Sequence, residues 1–253
     1  MGTVPRPGVG SLRSHQAGRG PARARPAPAY DAVVLAGGRA SRLGGYPKPQ
    51  LAYRGATLLE HALGAVAAAR CVAVVGPGPG EPGGPPKRTG PCGHEECGRV
   101  LFTREEPLYA GPVAAIAAGL AALPPEHGGA PGWVAVVAAD LPQAGGAVAA
   151  LLEAASAEPD CDGVLGEDAD GRSQPLLSLL RRGPLASALD ALARDGGLAN
   201  RPMKHVVARL GLLPLRLPPG SSADVDTWDA ARRWGIESPD MPGRAPRQEE
   251  AHE

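Results

Sequence analysis

Seven consecutive apolar residues, 133–139, end abruptly at Asp140. A run this short and this uniformly apolar, with three valines, reads as a strand buried on both faces. Such strands belong to parallel sheets whose faces are covered by helices. The same signature recurs at 31–36, 71–75, 100–103, 162–166, 175–180 and 213–217. Between these runs lie stretches with helical spacing. Residues 57–70 place Leu58, Leu59, Ala62, Leu63 and Val66 on one face, and the Ala-rich stretch 113–123 opens after Gly111 and Pro112, a fitting start because proline suits a helix's first turn. Further helical stretches are 148–157, 185–194, 202–210 and 227–234. The alternation predicts a single α/β domain with a mostly parallel sheet over residues 30–236.

Composition sets the limits of that domain. Gly and Pro are concentrated in residues 1–29 and 76–98. The first segment, with five Arg and no acid, has no hydrophobic period and is expected to be a disordered leader. Residues 76–98 are expected to be a flexible surface insert, and 237–253 a disordered tail. The whole chain is neutral, with 26 basic and 26 acidic residues, which argues against a dedicated nucleic-acid binder with its basic face. No apolar run approaches a membrane span, and the proline-broken N-terminus cannot hold the apolar stretch of a signal peptide. Four Cys in 253 residues make no disulfide framework. The expectation is a soluble, cytoplasmic protein.

Chemistry should sit beyond the carboxyl ends of parallel strands, and two strand ends carry it. The first is Leu35-Ala36-Gly37-Gly38, followed by Arg42 and Lys48. Two adjacent glycines let the backbone bend and present N–H groups to an anion, and two cations follow. Lysine is scarce, with only Lys48, Lys87 and Lys204; a compact ammonium suits a phosphate oxygen. Neither a Walker loop nor a dinucleotide fingerprint is present. The second strand end is Asp140, whose turn is set by Pro142. It is placed to hold Mg²⁺, which takes few protein carboxylates and keeps phosphate oxygens and waters as its other ligands; an ordinary helix cap is the competing role.

The string Leu35-Ala-Gly-Gly-x-x-Ser-Arg-Leu-Gly-x-x-x-Lys48 closely resembles the signature loop of the molybdenum cofactor guanylyltransferase family. The resemblance continues through Arg104-Glu-Glu-Pro107 and Gly111-Pro-Val, Ala138-Ala-Asp-Leu-Pro142, Gln174-Pro-Leu176 and Asp224-Val-Asp-Thr227. It implies a Rossmann-like three-layer sandwich with a mixed, mostly parallel sheet. It also implies a reaction: GMP moves from GTP to the terminal phosphate of molybdenum-molybdopterin, with Mg²⁺, and pyrophosphate leaves. Guanine would lie near Leu35, Ala36 and Gly37, and the phosphates over Gly37 and Gly38. Arg42 and Lys48 would meet the triphosphate, Asp140 the metal, and Glu106 would stand where guanine-binding relatives often carry Asp. Asp224 or Asp226 would assist the metal or cap the last helix. A molybdoenzyme or cofactor chaperone would be a further partner.

The departures are specific. The Asn expected after the second strand is replaced by Gly76-Pro77-Gly78-Pro79, so base selection is less constrained than phosphate handling. A cytidylyl- or other nucleotidyltransferase acting on another phosphorylated acceptor is the alternative enzyme. An inactive nucleotide-binding module or molybdoenzyme chaperone is the alternative of another class. Cys92 and Cys97 lack the second pair that a zinc site needs, and Cys71 and Cys161 read as packing residues. His61 is expected to be structural, and Arg172 and Gln174 are equally well explained as acceptor contacts or as solvated loop residues.

Overall fold

The computed structural model describes residues 26–38, 40–85, 99–125 and 132–237. The leader up to residue 25, the Cys92/Cys97 segment and the tail from 238 lie outside the described residues. Among the described residues, seven strands form one sheet in the order β5-β4-β1-β6-β8-β7-β9. They are β1 (Tyr30–Leu35), β4 (Cys71–Val75), β5 (Arg99–Thr103), β6 (Trp133–Ala138), β7 (Gly163–Glu167), β8 (Ser173–Arg181) and β9 (Leu212–Arg216). Neighbours run parallel except where β8 lies antiparallel between β6 and β7. The mostly parallel, mixed sheet of a Rossmann-like sandwich is therefore present.

Alternation along the strands explains the layers. In β1, Ala32 and Val34 join the core beneath α1 (Leu58–Ala65) and α3 (Ala144–Ala157). Val33 points to the opposite face, where α2 (Pro112–Ala122) and α4 (Arg182–Arg194) pack with the one-turn α5 (Lys204–Val207). Both faces of β6 are covered, and all six of its residues are buried. No helix among the described residues is long and apolar enough to cross a membrane.

Four local features beyond the sequence pattern have physical causes. A small hairpin, β2 (Ala52–Tyr53) with β3 (Ala56–Thr57), precedes α1, and the Thr57–Glu60 capping box fixes where that helix starts. Helix α3 starts at Ala144, ahead of the expected 148, because Ala144 and Ala147 are buried in the core and outweigh the low helix propensity of Gly145 and Gly146. Strand β8 is longer than expected and contains Pro175. The register with β7 shifts between Leu165 and Gly166, where Pro175, lacking an N–H, falls in the unpaired stretch. Finally, residues 76–85, the described part of the Gly/Pro-rich insert over 76–98, fold into a loop closed by its own hydrogen bonds. Gly80 N donates to Pro85 O at 2.8 Å, Glu81 N to Gly78 O at 3.1 Å, and Gly84 N to Glu81 O at 2.9 Å.

Candidate active site

The chain leaves β1, goes outward to β4 and β5, and returns on the other side as β6. The strand order therefore reverses between β1 and β6, and a crevice opens at their carboxyl ends. Hydrogen bonds beyond the ladders hold these ends in place: Ala36 N to Val75 O, Ala139 N to Leu35 O and Gly76 N to Thr103 O, each at 2.9 Å. Gly76 has to be glycine, since a Cβ there would lie 2.8 Å from the carbonyl carbon of Ala36. Gly38 turns the chain away at φ 142°, a conformation that side chains rarely adopt.

Four charged groups from three distant stretches of the chain then converge. Leu43 is buried in a satellite core with Leu51, Tyr53, Leu58, Val225, Ala231 and Ile236. This cluster docks α6 (Trp228–Arg233) and its preceding loop onto the stretch after β1. Since Arg42 flanks buried Leu43 and Asp226 flanks buried Val225, docking the apolar residues brings the charged ones together. The Val225 N–H also donates to the Asp140 carbonyl at 3.1 Å. Lys48 Nζ lies 3.3 Å from Asp140 Oδ2 and hydrogen-bonds Asp226 Oδ1, while Arg42 Nη1 reaches Asp226 Oδ2 at 3.2 Å.

Burial pushes the Asp140 carboxyl above its ordinary value. The Lys48 ammonium opposes this, and the Asp224 and Asp226 carboxylates add to it. For Lys48 the largest single influence, burial, pulls the ammonium down, but the hydrogen bond it donates to Asp226 and the charges of Asp140 and Asp226 together push it up. Lys48 is therefore firmly charged, held between two acids. Two convergent carboxylates are hard oxygen donors suited to Mg²⁺, which completes its shell with phosphate and water. Among the described residues no group of three or more His, Cys, Asp or Glu side chains converges in the way a protein-only metal cage would require.

The residues expected from sequence are mostly neighbours. Leu35, Ala36, Gly37, Gly38, Arg42, Lys48 and Asp140 all line one cleft of about 330 Å³, and Asp226 joins them. Glu106 does not: it is exposed and outside the lining, whereas its neighbour Glu105 lines the cleft and accepts the Tyr109 N–H at 3.0 Å. Asp224 is exposed and also outside the lining. Gln174 donates to Asp168 Oδ2 at 3.0 Å, Arg172 lies 3.9 Å from Asp170, and neither reaches the cleft. His61 binds the Tyr53 carbonyl at 2.7 Å and packs on the Tyr53 ring, a structural role as expected.

Sequence reasoning missed the far wall of the cleft. Gly76, Pro77 and Gly83 line it, along with Arg104, Leu108 and Tyr109. Arg104 is fixed by Glu81 at 2.6 Å, and Glu81 also accepts the Gly78 N–H at 3.1 Å. Its position was legible, because Arg104 directly follows the carboxyl end of β5, where ligands are expected.

No curated protein is detectably similar in sequence. Solved structures are. Molybdopterin-guanine dinucleotide biosynthesis protein A from Archaeoglobus fulgidus matches with a TM-score of 0.55 at 19% identity, over 81% of this chain and 96% of that one. Rv0371c from Mycobacterium tuberculosis matches with a TM-score of 0.54 at 22% identity, over 82% and 97%. The 2-C-methyl-D-erythritol 4-phosphate cytidylyltransferase of Francisella tularensis matches with a TM-score of 0.59 at 13% identity, over 82% and 98%. At these identities the likeness is one of fold. The family match is more specific, since it covers residues 32–210 and so takes in the loop after β1 and Asp140: the chain belongs to the MobA-like NTP transferase domain family.

Proposed function

We propose that this nucleotidyltransferase moves GMP from GTP to the terminal phosphate of molybdenum-molybdopterin. The observation that carries the reading is the Asp140–Lys48–Asp226 constellation facing the Gly37–Gly38 bend across one cleft. Its chemistry is that of phosphoryl transfer: charge neutralisation and positioning, with little covalent work for the protein. An oxygen of the acceptor phosphate forms a bond to the α-phosphorus, the α–β bridging P–O bond breaks, and pyrophosphate leaves. The acceptor phosphate is already ionised, so no general base is required. Lys48 and Arg42 neutralise the triphosphate and the charge that develops on it. The backbone at Gly37 and Gly38 approaches the phosphates with no side chain in the way. Asp140 and Asp226 would hold Mg²⁺, which, when bound, supplies Lewis-acid stabilisation of phosphate oxygens.

The Leu35-Ala-Gly-Gly form of the loop favours guanine. A cytidylyltransferase reading is kept as the alternative because solved structures of that activity share the fold. Pyrophosphate release with molybdenum-molybdopterin and a panel of nucleoside triphosphates separates the two. A preference for GTP is expected, and a preference for CTP overturns the base assignment. Lys48→Ala and Asp140→Ala should each lower the rate by at least about a hundredfold, the scale for removing a preorganised charge-stabilising group. If both variants restored molybdoenzyme activity in a strain lacking its own transferase, the site would be a binding module and not an enzyme.

A further inference from the structure

We propose that Lys48 is a resident counter-ion: in the free protein its ammonium holds the two carboxylates that would ligate the divalent cation, and it gives them up only when cation and nucleotide arrive together. The inference rests on the transferase reading of the site and adds the order in which that site is filled.

The geometry makes the competition direct. Lys48 Nζ contacts Asp140 Oδ2 at 3.3 Å and Asp226 Oδ1. The two carboxylate side chains are 24% and 36% exposed and that of Lys48 is 23% exposed, so all three are partly shielded from water. Two acids and two bases, Lys48 and Arg42, leave the cluster formally neutral. An ammonium and a dication cannot share the same two carboxylates without strong repulsion at such range. A cation arriving alone must therefore expel Lys48 and leave its charge half-buried without a partner. A triphosphate removes that penalty by offering Lys48 oxygens of its own. The two ligands consequently favour each other, and the coupling is reciprocal. Arg42 is a weaker competitor, because its side chain is 72% exposed and well screened.

The local chain suits such an exchange. Lys48 sits between Pro47 and Pro49 at the start of the 3₁₀ turn Lys48–Gln50, so the backbone is stiff and the movement falls to the four-carbon stem.

Two measurements test the exchange. In the first, Mn²⁺ binding is followed by electron paramagnetic resonance without nucleotide, in the wild type and in Lys48→Met. The variant should bind Mn²⁺ at least about tenfold more tightly, as removal of a cation close to both carboxylates requires. Adding Asp140→Asn should abolish the gain. An unchanged affinity in Lys48→Met, or a gain that survives Asp140→Asn, overturns the proposal. The second measurement does not depend on how the variant folds. The chain has only three lysines, Lys48, Lys87 and Lys204, so reductive ¹³C-methylation yields few signals. Lys87→Arg and Lys204→Arg identify the remaining lysine signal as that of Lys48. It should shift when Mg²⁺ and the α,β-methylene analogue of GTP are added together, and not with Mg²⁺ alone. A full shift with Mg²⁺ alone, or none when Mg²⁺ is added with either the GTP or the CTP analogue, overturns the proposal. Parallel addition of the CTP analogue separates the two readings: a response to it in place of the GTP analogue rejects guanine while upholding the exchange.

Discussion

Arg182→Met should produce a large, pH-dependent loss of stability. Arg182 Nη1 donates to Asp31 Oδ2 at 3.1 Å and Nη2 to the Leu123 carbonyl at 3.3 Å. The side chains are only 8% and 2% exposed. The pair joins the start of β1 to the start of α4. Burial raises the Asp31 pKa above its ordinary value, and the charges of Arg182 and Arg70 and a hydrogen bond from the Cys71 backbone only partly offset this. Removing one member of a buried pair costs about 3–5 kcal/mol, because the other charge is left uncompensated. The loss falls on the ionised form, so Arg182→Met raises the Asp31 pKa further. A carboxyl whose folded pKa is raised contributes stability that is fully present below its unfolded value and is lost as pH rises through the folded value. In the variant that loss extends over a wider range, so its deficit against the wild type is largest at neutral pH and shrinks on acidification. The change is at most about 1.4 kcal/mol per pH unit within the window. Urea unfolding at about pH 7 and about pH 4.5 measures both deficits. The double variant Asp31→Leu/Arg182→Met should recover much of the loss, having no charge to bury. A neutral-pH deficit below about 1 kcal/mol, or one that does not change with pH, refutes the reasoning.

Two further outcomes follow from packing and from the site. Gly119→Ala would place a Cβ 2.6 Å from Val33 Cγ1 and 2.9 Å from Val75 Cγ2; both valines are buried in the sheet core, so overpacking should cost about 1–3 kcal/mol in urea unfolding despite the better helix propensity of alanine. Asp226→Asn should lower kcat/KM for nucleotidyl transfer at least about tenfold, as loss of a cleft carboxylate implies, whereas exposed Asp224→Asn should stay within about threefold; steady-state pyrophosphate release distinguishes them, and equal effects would contradict the placement of Asp226, and not Asp224, in the cleft.

What the sequence discloses divides along physical lines. Strands buried on both faces announce themselves as uniform apolar runs, so β1, β4 and β6 and the residues at their carboxyl ends were legible locally, Lys48 and Asp140 among them. The direction of β8 was also encoded, though less openly: Asp168-Ala-Asp-Gly-Arg172 is a turn stretch between two strands, which signals a hairpin and hence an antiparallel pair. The choice of Asp226 over Asp224 was not legible. It depends on which side of buried Val225 faces a loop 178 residues away, and that is decided by the shared core of Leu43, Val225 and Ile236. The loop 76–85 shows a different limit. A Gly/Pro-rich composition excludes helix and strand, because it supplies too few backbone donors and too much conformational freedom, but it does not establish mobility. The closed shape of this loop comes from one carboxylate: Glu81 captures both the Gly78 N–H and the Arg104 guanidinium, and the close approach of Gly84 to the Gly78 carbonyl leaves no room for a Cβ. The glycines that read as freedom in the sequence therefore allow the tight contacts that turn this loop into a wall of the cleft.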